Sequence, residues 1–249
     1  MKLIVDGLAV NFELIGKGKC VVLLHGWGDN LSTFSALMSS LRQRYTLIAL
    51  DLPGFGSTQP PKQIWDLDNY ADFLADFLLK LGVKRPYAVI GHSNGGALAV
   101  RALATGKIKA DKLILIAASG IRDKKGAKRL AVKTVAKIGK ATTLWLPTAK
   151  RQQLRRKLYG TIGSDLLAVP GLEETFKRTV RQDLQADAAK LDLPVLLIFA
   201  SNDPAIPLSD GQRYHELIKH SYFEVLDAND HFIHQDQPDK TKDLIEGFL

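Results

Sequence analysis

Cysteine is nearly missing from this sequence. Cys20 is the single residue of its kind, so the chain cannot close an internal disulfide and bears no mark of an oxidising compartment. It opens an apolar run and reads as core packing. Long hydrophobic stretches are missing too. Nothing approaches the roughly 18 apolar residues of a membrane span, and Met1-Lys2-Leu3-Ile4-Val5-Asp6 is too short an apolar run for a signal peptide. These absences predict a soluble, cytoplasmic protein. No internal repeat or low-complexity tract is visible, which argues against a solenoid.

What is present suffices for a full core. With 249 residues, 46% of them hydrophobic, one compact catalytic unit carrying an insertion fits better than two domains. The net charge of +8 is unevenly placed: residues 121–190 hold 17 Lys and Arg against 6 Asp and Glu, or +11, and the rest 17 against 20, or −3. Such a segment can attract anionic substrates, membrane surfaces or nucleic acid, although a solvated face is the commoner origin of a charge run. Few aromatics interleave with these charges and no recognition motif accompanies them, so nucleic acid is not an expected partner. Arg129, Lys133, Lys137 and Lys140 follow a helical stripe, with Leu130, Val135, Ile138 and Leu144-Trp145-Leu146 nearby. The pattern fits a helix that packs its apolar side on a pocket, the favoured reading, or an interfacial helix on anionic lipid.

Residues 2–6 and 9–14, joined at Gly7, read as an antiparallel hairpin. Near-continuous apolar runs at 20–24, 46–50, 87–90, 113–117 and 195–200 are then expected to be strands covered on both faces of a parallel sheet, with 222–226 as the last strand. Helical patterns alternate with them. The clearest spans 67–81, where Leu67, Tyr70, Leu74, Phe77, Leu78 and Leu81 recur near a period of 3.6. This alternation predicts an α/β fold with a doubly wound sheet. Residues 121–190 interrupt it with helical signals and no convincing strand, so the expected organisation is a core of 1–120 and 191–249 with 121–190 as a helical insertion.

The sharpest local signal is Gly91-His92-Ser93-Asn94-Gly95, set between an apolar strand and the helix-forming run 96–103. A strand, tight turn and helix in this order form a nucleophile elbow. Flanking glycines are needed because bulky neighbours would collide with the adjoining strand and helix. Such a turn lifts the Ser93 hydroxyl above the sheet edge. A serine is a weak nucleophile near neutral pH and requires a base. His231 follows the last expected strand, so its loop opens on the same edge, and it is the candidate; His234 lies close by but points elsewhere. The orienting carboxylate is expected between them in the chain. Asp203, directly after the strand 195–200 and pinned by Pro204 and Pro207, fits better than Asp227 or Asp230. Two backbone N–H groups are needed for the oxyanion: that of Asn94, and that of Trp27 in the turn His25-Gly26-Trp27-Gly28. The pair His231 and His234 has no third ligand spaced to support a metal, and neither a metal nor an organic cofactor is expected.

With these residues in view, the chain resembles the α/β-hydrolase superfamily over nearly its whole length. Besides the elbow, His25-Gly26-Trp27-Gly28 looks like the family's oxyanion turn, and Asp51-Leu52-Pro53-Gly54-Phe55-Gly56-Ser57 like its structural turn. Asn202-Asp203-Pro204 and Asp230-His231-Phe232 look like the acid and base loops. The resemblance implies a mostly parallel twisted sheet with helices on both faces and a helical lid at 121–190. Asn94 stands where relatives commonly carry methionine or leucine, which bears on pocket shape rather than on a backbone donor. A serine at the elbow argues against the dehalogenases and epoxide hydrolases of this fold, which use aspartate. The implied activity is cleavage of a small-molecule carboxylic ester through a Ser-His-Asp triad and an acyl-enzyme, and the basic segment 121–190 leaves room for an anionic or lipid-like one. Carbon–carbon bond hydrolases, cofactor-free haloperoxidases and small-molecule receptors built on the same pocket share these motifs.

Overall fold

The computed structural model describes residues 1–122 and 169–249. Eight strands form one sheet: β1 (Lys2–Val5), β2 (Leu8–Gly16), β3 (Lys19–Leu24), β4 (Tyr45–Leu50), β5 (Ala88–His92), β6 (Lys112–Ile116), β7 (Val195–Ala200) and β8 (Ser221–Leu226). Their spatial order is β1-β2-β4-β3-β5-β6-β7-β8. β1 and β2 are the expected hairpin, and β2 also runs antiparallel to β4; every pairing from β4 to β8 is parallel. The described helices are α1 (Ser35–Leu41), α2 (Leu67–Lys80), α3 (Asn94–Ala104), α4 (Glu173–Thr179), α5 (Gln185–Ala188), α6 (Leu208–Leu217), α7 (Ile233–Asp236) and α8 (Pro238–Phe248). This is the α/β-hydrolase fold foreseen from the sequence.

The apolar runs make buried strands because both of their faces are covered. Val22, Leu24, Ile48, Leu50, Val89, Leu113, Leu115, Leu197 and Phe199 enter one core with α2 and α3. Their immediate neighbours Val21, Leu23, Leu47, Ala49, Ala88, Ile90, Ile114, Ile116, Leu196 and Ile198 enter the other, with α1 and Ile245 of α8. Successive side chains on a strand point to opposite faces, so an uninterrupted apolar run serves two cores at once.

α2 starts where it does because the Asp66 side chain accepts from the N–H groups of Asp68 and Asn69 while Asn69 reaches back to the Asp66 N–H, a reciprocal cap. Of the expected insertion 121–190, residues 123–168 lie outside the described residues, and so do Arg129, Lys133, Lys137 and Lys140 of the basic stripe. Its described end forms α4 and α5 and is tied to the core. Leu184 and Ala188 are buried there, Asp187 pairs with Arg101 of α3 at 3.2 Å, and Gln182 accepts from the Leu67 N–H at the start of α2. Among the described residues no helix is long and apolar enough to cross a membrane.

Parallel pairing decides where chemistry can occur. The turns after β3, β5, β7 and β8 all leave the same edge of the sheet, and they carry His25 to Gly28, Ser93, Asp203 and His231 respectively.

Candidate active site

Ser93 sits between β5 and α3 at φ +51°, ψ −117°, a conformation that non-glycine residues rarely adopt. The surroundings over-determine it. Its N–H donates to Ile116 O of β6 at 3.0 Å, and its carbonyl accepts from Gly96, Ala97 and Ser119. Strain of this kind persists only when neighbours enforce it. Gly95 shows why the next positions must be small: a Cβ there would lie 2.1 Å from Leu24 O and 2.5 Å from His25 O.

Asp203 follows β7 and is buried. One carboxylate oxygen accepts from the N–H groups of Ala205 (2.7 Å) and Ile206 (2.9 Å), which fixes its angle; the other meets His231 Nδ1 at 2.7 Å. The two rival carboxylates are engaged elsewhere, Asp230 with the Phe232 N–H and Asp227 with the Ser201 hydroxyl. The structure therefore brings Asp203 and His231 together across 28 positions of chain. Among the described residues no hydrogen bond joins Ser93 Oγ to His231.

A residue with no role legible in the sequence lies beside the nucleophile. His92, beside Ser93, donates from Nε2 to the carbonyl of His231 at 3.1 Å, and its ring packs 4.7 Å from those of His231 and His234. The His231 carbonyl can only accept, so the proton of His92 rests on Nε2. Burial, then the neighbouring His234 and His231, hold the His92 pKa well below the ordinary imidazole value. The Nε2 of His234 meets the Thr33 hydroxyl at 3.0 Å. Burial and the adjacent His231 push its pKa down to about 4. Of the remaining histidines, His215 lies on α6, and His220, three residues past its end at Leu217, pairs with Asp192. Among the described residues no group of three or more His, Cys, Asp or Glu is arranged to hold a metal.

The turn after β3 lies against the nucleophile: a Cβ on Gly26 would come within 3.1 Å of both Ser93 Cβ and His92 Nδ1. The backbone N–H groups of Trp27 and Asn94 donate to no other described residue. The Trp27 indole is wedged edge-on to Phe55 at 4.8 Å and against Phe176 of α4 at 5.0 Å. Asp51 acts structurally. It accepts from the N–H groups of Leu31 and Ser57 and from the Asn11 amide, holding the turn after β4 closed.

A serine on a strained strand-to-helix turn, a buried carboxylate bonded to an imidazole on the same edge and a glycine turn against the serine match one family in particular. The sequence pattern of the alpha/beta hydrolase family covers residues 21–244. The chain belongs to that family. A pimeloyl-[acyl-carrier protein] methyl ester esterase from Neisseria meningitidis is 30% identical over 227 residues, 86% of this chain and 71% of that protein. Among solved structures, a meta-cleavage product hydrolase from Pseudomonas fluorescens superposes with a TM-score of 0.77 at 22% identity, covering 100% of this chain and 96% of that one. An enol-lactonase from Burkholderia xenovorans gives 0.76 at 18%, covering 100% and 99%. At such identities the likeness to these two structures is one of fold, and the chemistry in their names remains theirs.

Proposed function

We propose that this alpha/beta hydrolase is a cytoplasmic serine esterase that cleaves carboxylic esters through Ser93, His231 and Asp203. The observation that carries the reading is the 2.7 Å bond from the buried Asp203 to His231 Nδ1, on the sheet edge where Ser93 is held at positive φ. That bond puts the imidazole proton on Nδ1 and leaves Nε2 as the lone pair able to take a proton from the serine. Catalytic hydrogen bonds are often long without substrate and tighten in the Michaelis complex, which is where the Ser93 to His231 bond belongs.

In this mechanism Ser93 Oγ attacks the ester carbonyl as His231 takes its proton. Asp203 stabilises the imidazolium, and the oxyanion accepts from the N–H groups of Trp27 and Asn94. The His231 proton then passes to the departing alcohol. Water activated by the same imidazole releases the acid and restores the serine. The 30% identical methyl ester esterase favours C–O over C–C cleavage. The +11 charge of residues 121–190 favours an acyl group or leaving group bearing negative charge, or a lipid-like one presented at an anionic surface.

Turnover of p-nitrophenyl esters from acetyl to long acyl tests the reading. Ser93→Ala is expected to lower kcat by ~10³-fold or more and to abolish labelling by a fluorophosphonate. Undiminished turnover in that variant would refute it.

A further inference from the structure

The esterase reading leaves the buried His25 without a task. We infer that His25 is a positioning residue for the oxyanion donor: by holding the Gly26 carbonyl, it fixes the direction of the Trp27 N–H in the same peptide unit. The inference rests on the proposed function and deepens it.

The bonds decide the tautomer. The Leu52 N–H donates to His25 Nε2 at 2.9 Å, and because a backbone amide only donates, Nε2 must be the acceptor. The ring proton is therefore on Nδ1, which donates to Gly26 O at 2.7 Å. The Asp29 N–H adds a longer bond to the same oxygen at 3.4 Å. His25 is fully buried, and burial lowers its pKa below the ordinary value, so this neutral, two-ended bridge persists at neutral pH. A protonated ring would turn Nε2 into a donor facing the Leu52 N–H and break it.

The consequence follows from peptide geometry. The Gly26–Trp27 unit is planar and trans, so its C=O and N–H point in opposite directions. With the carbonyl tied to His25, the N–H is turned to the other side, where it has no partner among the described residues. Gly26 places this unit against Ser93. A glycine offers little resistance to rotation of the peptide that follows it. Rotation by half a turn would put a carbonyl oxygen where the oxyanion forms, replacing attraction with repulsion. His25 opposes that rotation, and through Leu52 it anchors the turn to the end of β4.

Two isosteres separate the halves of the bridge. In His25→Asn the amide nitrogen falls near the place of Nδ1 and still donates to Gly26 O; in His25→Gln the terminal oxygen falls near Nε2 and still accepts from Leu52. With p-nitrophenyl butyrate and the full chain, His25→Asn is expected to keep kcat within about fivefold of wild type. His25→Gln and His25→Leu should each lose about 30-fold to 10²-fold in kcat, with KM moved less than about threefold, as for loss of an oxyanion donor. If the leucine variant fails to fold, the comparison of Asn with Gln at matched thermal stability decides. Equal kcat in those two variants would overturn the inference while leaving the esterase reading intact. A wild-type chain that neither turns over esters nor labels at Ser93 would remove both.

Discussion

Replacing Asp203 by asparagine changes one atom and should nearly silence the enzyme. The amide oxygen can still accept from the N–H groups of Ala205 and Ile206, so the loop after β7 keeps its shape. The amide NH₂ then faces His231 Nδ1, which has to become an acceptor. This moves the ring proton to Nε2, the wrong nitrogen for a base. The carboxylate charge is lost as well. With the imidazolium of the transition state about 4 Å from the carboxylate and an effective dielectric of about 20, that charge is worth about 4 kcal/mol, or about 10³-fold in rate; the wrong tautomer adds to the loss. Steady-state turnover of p-nitrophenyl butyrate, with thermal melting as the control for folding, measures it. A kcat fall of about 10³-fold or more at an unchanged Tm is expected. A folded variant that stays within about tenfold of wild type would show that Asp203 only shapes its loop and that another group orients the imidazole.

Gly95→Ala should cost about 2–4 kcal/mol and lower Tm by about 5–15 °C. The new Cβ would meet the Leu24 and His25 carbonyl oxygens at 2.1 and 2.5 Å, both backbone atoms that cannot step aside; a Tm within a degree of wild type would contradict the packing at the elbow. Acid should destabilise the fold through His234. An unfolded imidazole takes up its proton near pH 6.5 and this one at about 4, so between those values the unfolded state binds more protons. Stability is thus full above about pH 6.5 and falls as pH drops toward 4, by about 3 kcal/mol. Melting curves at pH 7.5 and 4.5 should show the loss, and His234→Phe should shrink it; an equal loss in both proteins would assign the acid sensitivity elsewhere.

Much of this protein was written in local sequence. Each expected strand appears within two residues of its expected bounds, because burial on both faces of a parallel sheet demands uninterrupted apolar runs such as Val195–Ala200. α2 was legible for the complementary reason, a one-sided apolar stripe, whereas its cap at Asp66 came with the structure. The elbow could be read because a serine at positive φ, followed by a Gly95 packed against Leu24, needs its small neighbours within two positions of chain. Other features had no local signal. The antiparallel pairing of β2 with β4 and the strand order depend on which surfaces meet after the chain has turned. The tasks of the histidines are of the same kind. The partner of His92 lies 139 positions away, the Leu52 N–H that fixes the tautomer of His25 lies 27 away, and the Thr33 hydroxyl that engages His234 lies 201 away. Sequence alone determined which residues must be buried and where the backbone must bend, since backbone sterics and hydrophobic periodicity act over a few residues. Only the tertiary structure decided which nitrogen of His25 and of His92 carries the proton, because a tautomer is chosen by the hydrogen-bond partner that the fold delivers.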